Sequence, residues 1–258
     1  MSTDPTPWLH SLRRSHDHLV DRTADLDISQ LARPSYCADW TVADVLSHLG
    51  SQAEIFGLLV DAGLGGGDAP GPDAFGPIWD TWNARSPEEQ AAHSTSANEA
   101  LVRRLEQLGA EQLGAFRLSA FGMDLDAAGL LRMRLSEHAL HTWDVDVVFD
   151  PDALVAADAV ELLVDGLPAL VARTGTPAAQ PATLEVVTTH PDRHFALSTG
   201  GVSLEPLSGQ STDGSVRLPA EALVRLVYGR LGTGRGGSVD VDAGGLDLDD
   251  LRALFPGF

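Results

Sequence analysis

Two side chains able to bind a metal stand four residues apart in the run LLRMRLSEHALHTWDVD, residues 130–146: Glu137 and His141. On a helix that spacing sets a carboxylate oxygen and an imidazole nitrogen side by side on one face. Counting in threes and fours from Leu130 gives Met133, Glu137, His141 and Asp144, so one stripe begins apolar and turns into acid and imidazole. A carboxylate turned toward a core is costly unless it is paired or ligates a cation. The pair is half of a metal site, and further donors must come from elsewhere in the chain.

His48 is the next donor to weigh. It follows Val45 by three residues, at the edge of the apolar stripe Val42, Val45, Leu46 and Leu49. Alone it reads as a core imidazole bonded to a carbonyl; beside Glu137 and His141 it becomes a candidate third ligand. Arg85, in TWNARSP, is either a solvated helix end or a clamp for a substrate carboxylate. Cys37 reads as a small buried hydrophobe, and His16 and His18, two apart on a helix, as surface histidines. The run Gly232, Gly234, Gly237 spells a dinucleotide fingerprint but follows a helix where that motif must follow a strand. Neither a nucleophile elbow, a phosphate-binding loop nor a zincin helix motif occurs.

Composition narrows the chemistry. The formal charge of the 258-residue chain is −20, with 37 acidic residues against 17 basic ones, every one of them arginine. Such a surface repels phosphate backbones and anionic lipid, so neither nucleic acid nor membrane is expected as a partner. Without lysine no Schiff base can form, and arginine is the one fixed cation for an anionic substrate. No apolar run reaches the roughly 18 residues of a spanning helix, and the start lacks the apolar stretch of a signal peptide. With Cys37 the single cysteine, a reducing, cytoplasmic setting is expected.

The elements that must position these groups follow from period and punctuation. Helices are expected over residues 7–25, 41–62, 78–84, 87–108 and through the stretch 130–146 to about Phe149, where Asp150 and Pro151 end the last one. Thr41 and Asp44 form a capping box at the second. Residues 26–39 read as irregular, 63–77 as a long glycine- and proline-rich loop, and 114–123 as turns. Helices without strands make a bundle, whose facing helices are where side-chain metal sites are built. Beyond it a helix over 153–174 leads to strands over 183–190, 193–200, 202–207, 214–218 and 238–242. Helices opened by Pro219 and over LDLDDLRALF complete a small α+β domain. The expected division is 1–152 for the bundle and 153–258 for the connecting helix and α+β domain.

The segments CADWTVADVLSHLG and RLSEHALHTWDVDV together are similar to the mycothiol-dependent maleylpyruvate isomerase family, which is related to DinB-like helical bundles. The stretch LPAEALVRLVYGRL resembles that family's sterol-carrier-like C-terminal domain, closing on Gly229 and Arg230. The resemblance implies a two-domain α plus α/β fold, a DinB-like four-helix bundle followed by a small α+β domain. It implies that the histidine of W-T-x-x-D-V-x-x-H-L and the glutamate and histidine of E-x-x-x-H-x-W-D bind a divalent metal, usually zinc; here these are His48, Glu137 and His141. Three ligands leave a coordination position open, as a catalytic zinc requires, and in the family the sulfur of mycothiol takes it. Asp144 is then placed as an acceptor behind His141. The implied partners are a small-molecule thiol and an electrophilic substrate, anionic in one reading, and a monomer is expected. Arg230 is the expected clamp on an anionic group, with Arg85 the competitor. An arginine-lined pocket would fit an unsaturated acid and isomerisation; one lined by Trp and Phe would fit a bulkier electrophile and thiol transfer. A non-catalytic binding module and a metal-dependent hydrolase are the alternatives.

Overall fold

The protein is described by a computed structural model covering residues 4–65, 69–232, 239–242 and 245–257. It forms two compact units, Met1–Ala159 and Val160–Phe258. The fold class is the expected one, a helical N-terminal region followed by a sheet-containing domain.

In the first unit the long helices are α1 (Thr6–Thr23), α3 (Val42–Gly65), α5 (Pro87–Glu106) and α7 (Ala127–Phe149), with short α2 (Ile28–Leu31), α4 (Gly76–Asn83) and α6 (Ala110–Ala115) between them. The capping box of α3 is present: the Thr41 amide donates to Asp44 Oδ2 at 2.9 Å and the Asp44 amide to Thr41 Oγ1 at 3.2 Å. Ser86 and Glu89 cap α5 in the same way, and Asp126 accepts from the Gly129 amide at the start of α7. Helix α1 packs on α5 and α7, and α3 on α4, α5 and α7. Leu19, Leu31, Val42, Val45, Leu46, Leu49 and Val145 form one core cluster among them. His18 Nε2 and Arg22 Nε both donate to the buried Asp146 at 2.7 Å, tying α1 to the last turns of α7.

Three sequence expectations are corrected here. The bundle is not strand-free: β1 (Leu118–Ala120) and β2 (Met123–Leu125) make a hairpin. Its turn residues Phe121 and Gly122 both take positive φ, the geometry of a tight two-residue hairpin. Three-residue strands are too short for a period of two to stand out. The 63–77 loop is shorter than expected, because burial of Leu59, Val60 and Gly63 carries α3 to Gly65 and α4 begins at Gly76; residues 66–68 lie outside the described part. His16 is not a surface residue but 2% exposed, with Nε2 3.1 Å from Glu99 Oε2.

The expected helix over 153–174 is also broken, into α8 (Ala157–Leu163), a 3₁₀ turn at Val164–Gly166 and α9 (Leu167–Thr174). Pro168 has no N–H to return to the carbonyl four residues earlier, so the helix cannot continue through it. The second unit then carries β3 (Thr183–Thr189), β4 (Arg193–Ser198), β5 (Ser203–Pro206), β6 (Gly214–Pro219), α10 (Ala220–Val227), β7 (Asp240–Asp242) and α11 (Leu248–Leu254). The sheet order is β5-β4-β3-β6-β7, with β3 and β6 parallel and the other pairs antiparallel. Helix α10 is buried along its length and packs on β3, β6 and α9. Gly234 and Gly237 of the glycine run, and Ser238 of the expected last strand, lie outside the described residues. Among those described, no helix is long and apolar enough to cross a membrane.

Candidate metal centre

Helix α7 turns Met133, Glu137 and His141 to a half-buried face, and α3 sets His48 opposite them. Glu137 Oε2 lies 3.1 Å from His48 Nε2 and 3.7 Å from His141 Nε2, and the three ligand atoms are all within 4.8 Å of one another. Bonds of about 2.0–2.2 Å around a tetrahedral ion put its ligands roughly 3.4 Å apart. The donor set therefore fits one divalent cation with little rearrangement.

The imidazoles are held in place from several sides. Their rings meet edge to face at 4.6 Å, and Trp40 lies 5.1 Å from His48 and 6.0 Å from His141, nearly parallel to the latter. Behind His141, Nδ1 is 2.8 Å from Asp144 Oδ2. A carboxylate can only accept, so Nδ1 carries the hydrogen and Nε2 presents its lone pair to the site. The Cys37 thiol donates to the same oxygen at 3.1 Å, with its sulfur 3.8 Å from His141 Nδ1. Cys37 is thus half-buried and hydrogen-bonded, not a buried hydrophobe. Cys37, Asp144 and His141 Nδ1 make a second cluster of ligand-type atoms on the far side of the ring.

The electrostatics set the charges of His48 and Glu137. Burial pushes the His48 pKa below its ordinary value, although the hydrogen bond to Glu137 acts the other way. Burial alone would raise Glu137, but the hydrogen bond from His48 and the neighbouring His141 and Arg134 bring it down to about 2. Arg134 itself is lowered by burial to about 10 and stays charged near neutral pH. Nothing in the apolar stripe marked this arginine, which is 1% exposed one turn before Glu137. Nor did anything mark the fully buried His138, whose Nδ1 is 2.8 Å from Ser15 Oγ.

A cleft of about 430 Å³ opens beside His48, lined by Asp39, Trp40, Asp44, Ser51, Trp79 and Asn83. Arg85 is not among its lining residues. Its guanidinium stacks on Trp82, 3.8 Å from the ring centroid, and its Nη1 is buried without a hydrogen-bond partner among the described residues. In the second unit Arg230 is 8% exposed and donates from Nη1 to the Tyr228 carbonyl at 3.0 Å. The glycine before it is required, since Gly229 has φ +71° and a Cβ there would come within 2.6 Å of Gly257 Cα.

Residues 12–146 match the family model described as the mycothiol maleylpyruvate isomerase N-terminal domain. The chain belongs to that family. Two solved structures share its fold over 95% of each chain. One is the crystal structure of the mycothiol-dependent maleylpyruvate isomerase, 16% identical with a TM-score of 0.68. The other is a mutant of that isomerase with one histidine changed to alanine, 15% identical with a TM-score of 0.69. A search of curated proteins found no match.

Proposed function

We propose that the chain is a cytoplasmic metal-dependent thiol enzyme in which His48, Glu137 and His141 hold one divalent ion, zinc by the chemistry of the donors, and mycothiol is the cosubstrate. The observation that carries this reading is the convergence of three ligand atoms within 4.8 Å beside an open cleft. Two imidazoles and one carboxylate are the donor set of a catalytic zinc with a position left for substrate. A bound ion of this kind supplies Lewis acidity, which makes a thiol ionise near neutral pH.

The protein's own groups do the rest. Asp144 fixes the tautomer of His141, Trp40 holds both rings, and Glu137 offers its charge from a half-buried face. The thiolate adds to a carbon–carbon double bond of the electrophile. Rotation about the resulting single bond and expulsion of the thiolate return the isomer with no net change in atoms. Protonation of the adduct carbon instead gives the S-transfer product. Among the described residues, the lining of the cleft beside His48 holds two tryptophans, two aspartates and no arginine. That favours an uncharged electrophile with apolar surface over a small dicarboxylate, because neighbouring carboxylates repel an anion.

Elemental analysis of the purified protein followed by mycothiol titration tests this. About one divalent ion per chain, lost in His48→Ala, Glu137→Ala and His141→Ala, together with thiol-dependent turnover, is the expected result. Turnover that ignores the thiol would make the protein a hydrolase. Metal content unchanged in all three variants would move the site elsewhere.

A further inference from the structure

Behind the candidate ligands, three helices are joined at a single backbone oxygen. The carbonyl of Leu49, the residue after His48 on α3, accepts from Arg134 Nη2 of α7 at 3.2 Å and from Asn98 Nδ2 of α5 at 3.4 Å. Arg134 Nη2 also donates to Asn98 Oδ1, so the two side chains close a ring on the α3 backbone. Asn98 is anchored in turn to Ser94, through its carbonyl at 2.8 Å and its hydroxyl at 3.3 Å. The Arg134 guanidinium also lies 5.4 Å from the Phe56 ring centroid, on the same helix as His48. Arg134 and Asn98 are each 1% exposed.

We propose that Arg134 and Asn98 are positioning residues for the metal centre: their ring on the Leu49 carbonyl sets the separation of His48 from Glu137 and His141. The inference rests on the reading of those three residues as ligands. Its logic lies in placement and cost. Arg134 precedes Glu137 by three residues and His141 by seven, so all three share one face of α7, and the ring lies one residue from the ligand on α3. A buried guanidinium is a poor device for stability alone. An apolar side chain of similar volume would hold three helices together at less cost in desolvation. Arg134 moreover leaves Nε and Nη1 buried without hydrogen-bond partners among the described residues, so much of its donor capacity goes unused. What an apolar residue cannot supply is direction. One donor nitrogen shared between the Leu49 carbonyl and Asn98 Oδ1 ties α7 and α5 to the carbonyl beside His48 at hydrogen-bond distance, which sliding aliphatic packing would leave loose.

The test is metal binding by full-length Arg134→Met, Arg134→Lys and Asn98→Leu proteins. It is read by chelator competition and by the visible spectrum of bound Co²⁺, which reports coordination geometry. Groups that orient ligands from behind change metal affinity by roughly 10–100-fold when removed. Arg134→Met should weaken binding within that range and alter the Co²⁺ bands, with Arg134→Lys recovering part of both. Thermal unfolding of the metal-free Arg134→Met protein should be unchanged or raised, since a purely structural arginine would lower it. Wild-type affinity and an unchanged spectrum in Arg134→Met overturn the proposal. Should that protein not fold, the same result in Asn98→Leu overturns it. A wild-type protein that binds no metal refutes the ligand assignment itself, a separate outcome.

Discussion

Replacing Asp144 by alanine probes the site from the side facing away from the ion. Asp144 is fully buried and receives the His141 Nδ1–H at 2.8 Å and the Cys37 thiol at 3.1 Å. In alanine both donors face the space left by the carboxylate, and the imidazole is free to rotate or take its other tautomer, which would put a hydrogen where the ion should be. Loss of such an acceptor costs roughly 10–100-fold in metal affinity, or about 1.4–2.7 kcal/mol. A hydrogen bond to a charged group is worth about 1.5–3 kcal/mol, so the two routes to the figure agree. Asp144→Asn keeps an oxygen that can accept from Nδ1 and loses only the charge, so it should sit near the lower end of that range. Calorimetric titration of Zn²⁺ into metal-free protein measures both. The reasoning fails if Asp144→Ala binds within about twofold of wild type, or if asparagine is the worse of the two.

Other expectations follow from packing and charge. A Cβ on Gly50, two residues past His48 on α3, would overlap the buried indole of Trp82, which Glu54 holds by its Nε1 at 2.9 Å; Gly50→Ala should lose about 1–3 kcal/mol in thermal unfolding. Burial holds the pKa of His16 below its ordinary 6.5 in the fold, so the unfolded chain takes the proton first and stability falls as pH drops below 6.5. His16→Gln should flatten that acid limb in urea titrations at several pH values, and an unchanged slope would assign it to other groups.

The candidate ligand pair was legible in the sequence because of its spacing, and His48 joined it through the family resemblance. Glu137 and His141 are a turn apart on one helix, and His48 rides a capped helix whose start Thr41 and Asp44 announce. The bundle and the α+β domain were legible because each long element has a clear period. What the sequence hid depends on contacts between elements. A three-residue strand has too few positions to alternate, and only the positive φ of Phe121 and Gly122 turns the segment back on itself. His16 looked like a surface residue because its helix is polar around it; Glu99, from a helix more than eighty residues away, gives it a partner.

The buried polar layer is the clearest case. Arg134 and His138 stand four apart on α7, and a charged residue in a periodic helix is ordinarily read as its solvated face. Both are inside because α7 is enclosed on more than one side. Glu137 and His141 lie toward the half-open side, Arg134 beside them reaches α3 and α5, and His138 and Asp146 turn to α1. A helix whose polar groups are spread over all its faces yields no amphipathic signal. The spacing of Glu137 and His141 therefore stood out on this helix, while the buried Arg134, His138 and Asp146 went unread.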